Sequence, residues 1–572
     1  MNFKEHKKDI LAISALLIIV SAITLLLINL DGKIGVYYVR DVYFYLNNAL
    51  FYAGYDTGLP DTRGLSPLIP MITSIFIRLG FYSDFTIIAV SSVFYIFAAL
   101  GMYFLLRVRF NEVLSFSGSM ILSTFPLIIV WITKGMLDIP AMCMSIWSVY
   151  FMILSFKKNP RFLYITGPLV ILGFFTRFTV LLIVFVLGIQ LFLVEKPITY
   201  IKDNIKHISI GVGLGALVFG IFIGIYHFLN IKMFFLSQGG EITQATHSVI
   251  DTQYNNIFYY PFNLPIYLGC EKFIPYSLKP GRYLITKMKW IGGQPSIISY
   301  ILMAIMLIGL ILYLRKFFKK ENRTTLKNDN KKYLKIAIFI LGFIVLILTF
   351  IKISIIFSII IATISMLSIY RLLNKAEMDY FALDFIMIYW FVINFIFFTY
   401  HHVKVDRYFI PMLPVIAYFI IVSIELIFER LKSFKYIEKI KIVAPIALIC
   451  LILLCSGVYS LNNSPHTYDN QEPANYWTAA NEEKAVGAWL MKYDPQYENK
   501  TIWADRGGDM SFIMRMQIPS FDDKSNESNF TDEMIKENVT YFIAKDNKTI
   551  AEPYVKLYEN GEVHLYYYKN GK

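Results

Sequence analysis

The 572-residue sequence has few charged residues, few cysteines and no low-complexity linker. Asp, Glu, Lys and Arg make up only 17% of it and hydrophobic residues 56%, a balance that excludes an ordinary soluble protein. Its four cysteines are too scattered to indicate a disulfide framework or a zinc site. What the sequence has instead is a series of long apolar runs, many of them long enough to cross a hydrocarbon core of roughly 30 Å.

These runs predict a polytopic α-helical membrane protein with about thirteen spans. The first run is too long for the core of a signal peptide and has no small-residue cleavage site, so we expect it to be a retained anchor. Residues 1–460 form the predicted transmembrane domain, with outer loops at 31–83 and 231–295 that carry membrane-lying helices. The predicted spans lie near residues 10–30, 84–106, 112–132, 139–156, 162–176, 178–194, 208–230, 296–314, 334–351, 353–370, 381–400, 409–428 and 442–460.

The basic residues predict which side of the membrane each loop faces. If the N-terminus is cytoplasmic, the Lys- and Arg-rich loops all fall on the cytoplasmic side, as the positive-inside bias requires. The formal charge of +13 is therefore a topology signal, and its distribution over many loops argues against nucleic-acid binding. We expect a multi-pass protein of the cytoplasmic membrane. The loops in question contain RVRF, KKNPR, KPITYIKDNIKH, RKFFKKENRTTLKNDNKK, RLLNKAEMD and ERLKSFKYIEKIK.

The composition changes from residue 461 onward. This tail has 12 Lys/Arg and 18 Asp/Glu, a net charge of −6, which leaves about +19 on the rest of the chain. Its segments TIWA, YFIA and HLYYY predict strands, whereas EEKAVGAWLMKY and TDEMIKEN predict helices. Residues 461–572 are therefore predicted to form a small α/β domain, which the span count places outside the cytoplasm.

Ionisable residues collect in the connections that we predict to lie outside. Charge at a membrane boundary is costly unless it is hydrated or paired, so this clustering predicts one shared polar cavity that opens outward. A transporter would more often place such groups near the bilayer midplane, and the pattern therefore favours a surface enzyme over a carrier. The residues are Asp41, Arg63, Lys134, Asp138, Arg177, His401, His402, Lys404, Asp406 and Arg407.

Several segments in these connections carry a resemblance to a known class of membrane enzymes. An acidic residue opens RDVYFYLNNALFYAG, and a proline-containing stretch that ends in basic-Leu-Gly follows as RGLSPLIPMITSIFIRLG. A second acidic residue lies in TKGMLDIPAMCMSIWSVYFM, and later basic residues lie in GFFTRFTVLLIVF and HHVKVDRYFIPMLP. In order and spacing, most of residues 1–200 and 400–415 resemble the GT-C polyprenyl-phosphate-sugar-dependent glycosyltransferases. The protein mannosyltransferases and aminoarabinose transferases (glycosyltransferase family 39-like) are the most similar in layout.

The resemblance implies an inverting transfer of a hexosyl or pentosyl group from dolichyl or undecaprenyl phosphate to an acceptor outside the membrane. It implies that Asp41 is the general base and that Asp138 is a second carboxylate, which orients the acceptor or holds a cation. A positioned base contributes typically about 10²–10⁴-fold, and fixed cations stabilise the charge that develops on the departing phosphate. The candidates for contact with the lipid phosphate are Arg63, Lys134, Arg177, Arg282, Lys404, Arg407 and Tyr408.

No cofactor is required for this chemistry, and a divalent cation is compatible with it although no pattern in the sequence supports one. We predict no metal site, because the adjacent His401 and His402 would point apart on a helix and no third ligand has suitable spacing. Arg282 lies in the loop 231–295, which we predict to form a lid over the lipid phosphate. The loop could equally be packed at the membrane interface.

The sequence alone also allows other interpretations of the same residues. Asp41 and Asp138 both suit helix starts, where a carboxylate satisfies free N–H groups. Lys134 and Arg177 could reach toward lipid headgroups, and Arg407 with Tyr408 could be an interfacial anchor.

The sequence also departs from the related families. Val42 stands where many members have Glu after the first acid, Ser66 precedes Pro67 where the aminoarabinose branch has Lys, and the WWDYG run of oligosaccharyltransferases is absent. The alternative functions are a carrier or flippase for lipid-linked sugars, which would need no base, and a silent lipid-binding scaffold.

Overall fold

The computed structural model contains a bundle of long helices followed by a small α/β domain. The long helices form because their apolar runs leave no polar partner other than the backbone's own hydrogen bonds. The structure describes residues 3–34, 40–57, 62–232, 258–273, 293–317, 331–349, 352–374, 380–401, 405–434, 436–462, 473–521, 530–545 and 550–569.

Seventeen helices among these residues build the first part of the chain. A short antiparallel pair of strands, β1 (Cys270–Phe273) and β2 (Gly293–Pro295), lies between the eleventh and twelfth helices. The helices are α1 (Phe3–Ile34), α2 (Arg40–Ala53), α3 (Leu68–Arg78), α4 (Phe85–Arg107), α5 (Glu112–Thr124), α6 (Pro126–Ile132), α7 (Asp138–Lys157), α8 (Leu163–Thr176), α9 (Ile183–Leu193), α10 (Pro197–Phe228), α11 (Tyr259–Leu268), α12 (Ile297–Phe317), α13 (Lys332–Thr349), α14 (Ile355–Leu373), α15 (Phe381–Tyr400), α16 (Leu413–Arg430) and α17 (Ile437–Asn462).

Nine helices of the described chain are long and apolar enough to cross a membrane, or ten if α5 and α6 form one bent span. The 60° bend lies at Phe125, which is extended because Pro126 disfavours a helical residue before it. The shorter apolar helices α8 and α9, together with α17, account for the other predicted spans. Each of the thirteen predicted spans thus coincides with a helix, and the predicted fold class is confirmed.

Two glycines allow α8 and α10 to pack backbone against backbone. A side chain at Gly167 would collide with the carbonyl group of Gly211, and one at Gly211 would collide with the carbonyl of Leu163. Membrane helices gain little from the hydrophobic effect when they associate, so small residues that permit close van der Waals contact stabilise such pairs.

Ion pairs hold several helix ends together at one end of the bundle. Arg107, at the end of α4, donates to Asp9 in α1 at 2.7 Å. Arg109 in the next loop pairs with Asp384, which is 1% exposed in the first turn of α15, and lies 2.8 Å from Glu425 near the end of α16. Buried charge is tolerated because it is paired. The N-terminal part of α1, the loop after α4, the start of α15 and the end of α16 therefore share one end.

The tail domain, which we define as the described residues between 473 and 569, is built on a four-stranded sheet in the order β3-β4-β6-β5. β3 and β4 are parallel, and the other neighbours are antiparallel. Val486 and Met510, from the first two helices of the domain, pack on one face, and Phe530 of the third packs on the other. The elements are α18 (Pro473–Tyr493), β3 (Ile502–Ala504), α19 (Gly507–Met514), α20 (Phe530–Lys536), β4 (Tyr541–Lys545), β5 (Tyr554–Asn560) and β6 (Val563–Tyr568).

The predicted strands and helices of the tail are all present as β3, β4, β6, α18 and α20. Helix α19 and strand β5 were not predicted from the sequence. The signal for β5 was Gly561, which has φ +57° and opens the two-residue loop Gly561-Glu562 between β5 and β6.

Candidate functional site

Asp41, in the first turn of α2, forms an ion pair with Arg407. The carboxylate Oδ2 accepts a hydrogen bond from Nη2 of Arg407 at 2.6 Å. Arg407 lies in the short 3-10 helix Asp406–Met412 that precedes α16, so the pair joins two parts of the chain 366 residues apart. The Asp41 side chain is 40% exposed and the Arg407 side chain 11%. Asp41 therefore faces solvent, whereas its partner is held inside the protein.

Asp138 forms a second ion pair, with Arg177. Asp138 is the first residue of α7 and is 1% exposed, and its Oδ1 accepts from Nη1 of Arg177. The residue at the N-cap is Leu137, and no side-chain capping bond is present there. Arg177 follows α8 in extended backbone, which ends that helix and lets the side chain turn toward α7. The capping interpretation of Asp138 therefore does not describe its contact, which is an ion pair.

Tyr408 connects the two pairs. The guanidinium carbon of Arg177 lies 5.0 Å from the centre of the Tyr408 ring, and that of Arg407 lies 5.7 Å from it. Arg407 also lies 5.6 Å from the centre of the Trp131 ring. Cations at such distances are attracted to the ring face, which helps to hold two positive groups close together. Five of the predicted site residues are thus gathered in one cluster: Asp41, Asp138, Arg177, Arg407 and Tyr408.

Two polar atoms of this cluster have no hydrogen-bond partner among the described residues. They are Nε of Arg407, a donor, and Oδ2 of Asp138, an acceptor, and both are buried. Buried polar groups in proteins are nearly always satisfied, so an open donor and an open acceptor at one site favour a ligand that supplies both partners. An anion would satisfy Nε, and a hydroxyl group would satisfy the carboxylate oxygen.

The connection between α6 and α7 shapes one wall of the cluster. Gly135 has φ +66°, a backbone conformation that other residues rarely adopt, and it makes the turn that precedes Met136. The sulfur of Met136 lies 3.5 Å from Nη1 of Arg407. Lys134, a predicted phosphate ligand, lies in this connection and is only 5% exposed.

Tyr45, which lies one helical turn after Asp41, is a site residue that was not predicted from the sequence. Residues four apart on a helix share a face, so Tyr45 projects on the side of α2 that carries the general-base candidate. Burial raises the pKa of the Tyr45 phenol, and the Asp41 carboxylate raises it further, while Arg177 and Arg407 lower it. Its hydroxyl therefore lies within electrostatic range of both ion pairs. The i, i+4 spacing from Asp41 was the available signal.

A second missed feature holds the turn that carries Arg407. Asp406 is 4% exposed, and its Oδ1 accepts hydrogen bonds from the phenols of Tyr259 at 2.9 Å and Tyr267 at 3.0 Å. Both tyrosines belong to α11, and the Tyr267 ring stacks on Phe409 at 4.6 Å. α11, part of the predicted loop 231–295, is therefore packed against the 3-10 helix rather than lying apart from it.

Arg63 lies away from the cluster. It donates to Asp56 at 2.8 Å, and its guanidinium carbon lies 4.1 Å from the centre of the Phe51 ring. Phe51 is ten residues beyond Asp41 on α2, which corresponds to roughly 15 Å along a helix that rises 1.5 Å per residue. Two other predicted phosphate ligands, Arg282 and Lys404, lie outside the described residues.

Within the part of the chain that the structure describes, no group of three His, Cys, Asp or Glu side chains could hold a metal ion. Asp41 and Asp138 are each paired with an arginine instead.

Two solved structures have a fold similar to that of this chain. The chain is similar to ArnT from Cupriavidus metallidurans bound to undecaprenyl phosphate, with a TM-score of 0.54 at 10% identity over 97% of this chain and 98% of that one. It is also similar to the apo oligosaccharyltransferase of Archaeoglobus fulgidus, with a TM-score of 0.50 at 11% identity over 93% of this chain and 69% of that one. Comparison with curated proteins by sequence gives no match.

These likenesses, at 10–11% identity, are likenesses of fold, and they agree with the resemblance to the GT-C glycosyltransferases seen in the sequence. Residues 64–223 match the family model of the dolichyl-phosphate-mannose-protein mannosyltransferases, which covers less than half of the chain. The matched region begins four residues before α3, ends in the last turns of α10, and contains Asp138 and Arg177. Asp41 and Arg407 lie on either side of it.

Proposed function

We propose that the protein is an inverting glycosyltransferase that moves one hexosyl or pentosyl group from a polyprenyl phosphate to an acceptor hydroxyl outside the cytoplasmic membrane. The observation that carries this proposal is the cluster of Asp41, Arg407, Asp138 and Arg177, with an open donor and an open acceptor between them. A carrier would need no base, whereas this cluster places an exposed carboxylate beside buried cations.

Asp41 acts as the general base. The acceptor hydroxyl gives its proton to the Asp41 carboxylate, and its oxygen attacks the anomeric carbon on the face opposite the phosphate. The bond between that carbon and the phosphate oxygen breaks, and its electron pair leaves with the polyprenyl phosphate. The single displacement inverts the anomeric configuration. The 40% exposure of Asp41 suits an acceptor that arrives from water.

Arg407 binds the departing phosphate. Its Nε is open and lies on the same edge of the guanidinium group as Nη2, which Asp41 occupies. The open Nε–H can donate to a phosphate oxygen while Nη2 keeps Asp41, and a fixed cation in a site with little water stabilises charge more than one in solution. Arg177 lies across the Tyr408 ring and supplies a second positive charge. Asp138 accepts a hydroxyl hydrogen bond through its open Oδ2.

The ion pairs support an outward-facing site and a cytoplasmic N-terminus. The loop after α4 shares one end of the bundle with the beginning of α1, and it carries basic residues of the kind that face the cytoplasm. Asp138 starts α7 at the opposite end from Lys157, where that helix finishes. Lys157 lies 5.0 Å from the ring of Tyr380, next to the Arg109 cluster. These contacts support an active site at the other end of the bundle, which we propose faces outside.

The test uses purified protein, a radiolabelled polyprenyl-phosphate sugar and a mixed pool of hydroxyl acceptors. Wild type should transfer label with inversion, and Asp41→Asn should lose activity by roughly 10²-fold or more, as expected when a general base is removed. Asp56→Asn is the matched control, because Asp56 also pairs with an arginine but is 82% exposed and distant from the cluster. It should transfer label at the wild-type rate.

A carrier or flippase would give a different result. Lipid translocation that persists in Asp41→Asn, with no label transferred to any acceptor by the wild type, would contradict the proposal and favour the carrier. Equal activity of Asp41→Asn and wild type in transfer would remove the assigned base.

A further inference from the structure

The helix that carries Asp41 has a second face, which contacts the tail domain. Asp41 and Tyr45 lie on the face of α2 that points to the ion pairs. Tyr43 and Asn47, four residues apart, lie on another face, and both are buried. The amide nitrogen of Asn47 donates to the carbonyl oxygen of Gly508 in α19 at 2.7 Å. One short helix is thus shared between the proposed active site and the tail domain.

Phe512 of α19 makes the main apolar contact of this interface. It is 4% exposed and belongs to the hydrophobic core of the helical bundle rather than to that of its own domain. Its ring packs edge-on against Tyr43 at 6.0 Å between centres and stacks on Tyr82 at 5.3 Å. The Tyr82 hydroxyl also donates to the carbonyl oxygen of Phe512. The side chain therefore inserts from the tail domain into the bundle.

Two charged contacts lie beside this insertion. Lys484 of α18 pairs with Asp84, at the start of α4, at 2.5 Å. The guanidinium carbon of Arg515 lies 3.9 Å above the centre of the Tyr82 ring. Contacts from both α18 and the end of α19 restrict rotation of the domain about Phe512.

α19 is itself fixed within the tail domain. The Ser511 hydroxyl accepts from the backbone N–H of Ile518 at 2.9 Å and donates to its carbonyl oxygen at 3.2 Å. Gly507, where α19 begins, lies so close to the backbone of Ile518 and Pro519 that no side chain would fit. A displacement of the domain would therefore move α19 and the surface on which α2 rests.

We infer that the tail domain positions the catalytic helix: its docking through Phe512 and Gly508 holds Asp41 at Arg407. This inference rests on the proposed function. α2 has 14 residues, too few to cross a membrane, and helices of about 12–15 residues are marginal without tertiary contacts. Arg407 and Arg177 belong to other elements of the bundle, so the domain controls the base and not the phosphate-binding cations.

The test compares Phe512→Ala with Phe521→Ala. Phe521 is a phenylalanine of the same domain that stacks on Trp503 at 4.0 Å and does not contact α2, so its removal damages the domain without removing the docking contact. Phe512→Ala should lower kcat about tenfold or more, while the KM for the donor should change less than about threefold. The reason is that a displacement of the order of 1 Å at a reacting group can lower the rate about 10²-fold. Phe521→Ala should keep the wild-type kcat.

Hydrogen exchange gives a readout that does not depend on activity. The amides of α2 should exchange faster in Phe512→Ala than in wild type, whereas their exchange rates in Phe521→Ala should equal those of wild type. Phe512→Leu should restore part of kcat and part of the protection of the α2 amides from exchange. Unchanged kcat and unchanged α2 exchange in Phe512→Ala would overturn the inference. If the wild type transfers no sugar, the proposed function fails, and the α2 exchange alone then decides whether the domain positions this helix.

Discussion

Removing Arg177 should destabilise the protein strongly, because the buried Asp138 carboxylate loses its ion-pair partner. Asp138 is 1% exposed, and one of its two oxygens already has no partner in the described residues. Arg177→Met would leave this buried carboxylate without its hydrogen-bonded counter-ion, and Arg407 would be the one cation of the cluster still within electrostatic range. Breaking a buried pair by removing one partner costs typically about 3–5 kcal/mol, and we expect Arg177→Met to lower the free energy of unfolding by that amount.

The reverse change should cost less. In Asp138→Asn, the arginine keeps partial contact with solvent, since its side chain is 16% exposed, and it keeps the Tyr408 ring. The double variant Asp138→Asn/Arg177→Met has no stranded charge, so most of the stability lost in Arg177→Met should return. Replacement of both partners of a buried pair is often neutral or stabilising. Catalytic transfer should stay low in all three variants, because the cluster has lost a carboxylate, a cation or both.

The assay is a double-mutant cycle of unfolding free energies, measured by SDS titration in mixed micelles, with sugar transfer measured on the same samples. A coupling energy of about 2 kcal/mol or more is expected from residues in direct contact that form a buried pair. If the double variant proves no more stable than Arg177→Met, the cost does not come from a stranded carboxylate and the reasoning is wrong. Recovery of stability together with full transfer activity would show that the pair serves packing alone.

Two further predictions concern other parts of the structure. Asp406→Ala should lower kcat roughly tenfold, because the turn that carries Arg407 loses the hydrogen bonds from two phenols. Each such bond to a charged acceptor contributes about 1.5–3 kcal/mol. Asp406→Asn keeps a side-chain oxygen that accepts both bonds and should therefore keep most of the wild-type kcat. Equal losses in the two variants would mean that Asp406 acts through its charge and not by positioning the turn. In the tail domain, burial and the neighbouring Asp509 raise the pKa of the Glu483 carboxyl. The folded state therefore holds that proton more tightly than the unfolded chain, and stability should fall as the pH rises from about 4.3 through the raised pKa. In Glu483→Gln the glutamine has no proton to lose, so the melting temperature should depend less on pH than in wild type. If it depends on pH as strongly as in wild type, Glu483 is not the group responsible.

Much of the fold follows from local sequence. An apolar run of about 20 residues has few alternatives to a membrane helix, because every backbone polar group must be satisfied without water. Short apolar patches likewise indicated three of the four strands of the tail. Strand β5 was missed because Tyr554–Asn560 lies at the sheet edge with only one fully buried residue, so its apolar signal is weak.

The candidate site was only partly predictable. The residue types in the outer connections pointed to Asp41, Asp138, Arg177 and Arg407 as members of one cavity, and the structure places these four together. It separates Arg63 from them, because α2 carries the chain roughly 15 Å from Asp41 before Arg63 follows. No sequence pattern indicated that α11 supplies two phenols to Asp406, since those residues lie about 140 positions apart.

By itself the sequence determined the class of protein: the lengths of its apolar runs required membrane helices, and the placement of its charges indicated which ends carry chemistry. The tertiary structure alone decided which carboxylate meets which arginine, which polar atoms are left open, and that a phenylalanine of the tail supports the helix of the proposed base. The physical reason is the distance along the sequence over which each kind of signal acts. Hydropathy and helical periodicity report on neighbours within a few turns, whereas an ion pair across 366 residues depends on how whole helices pack.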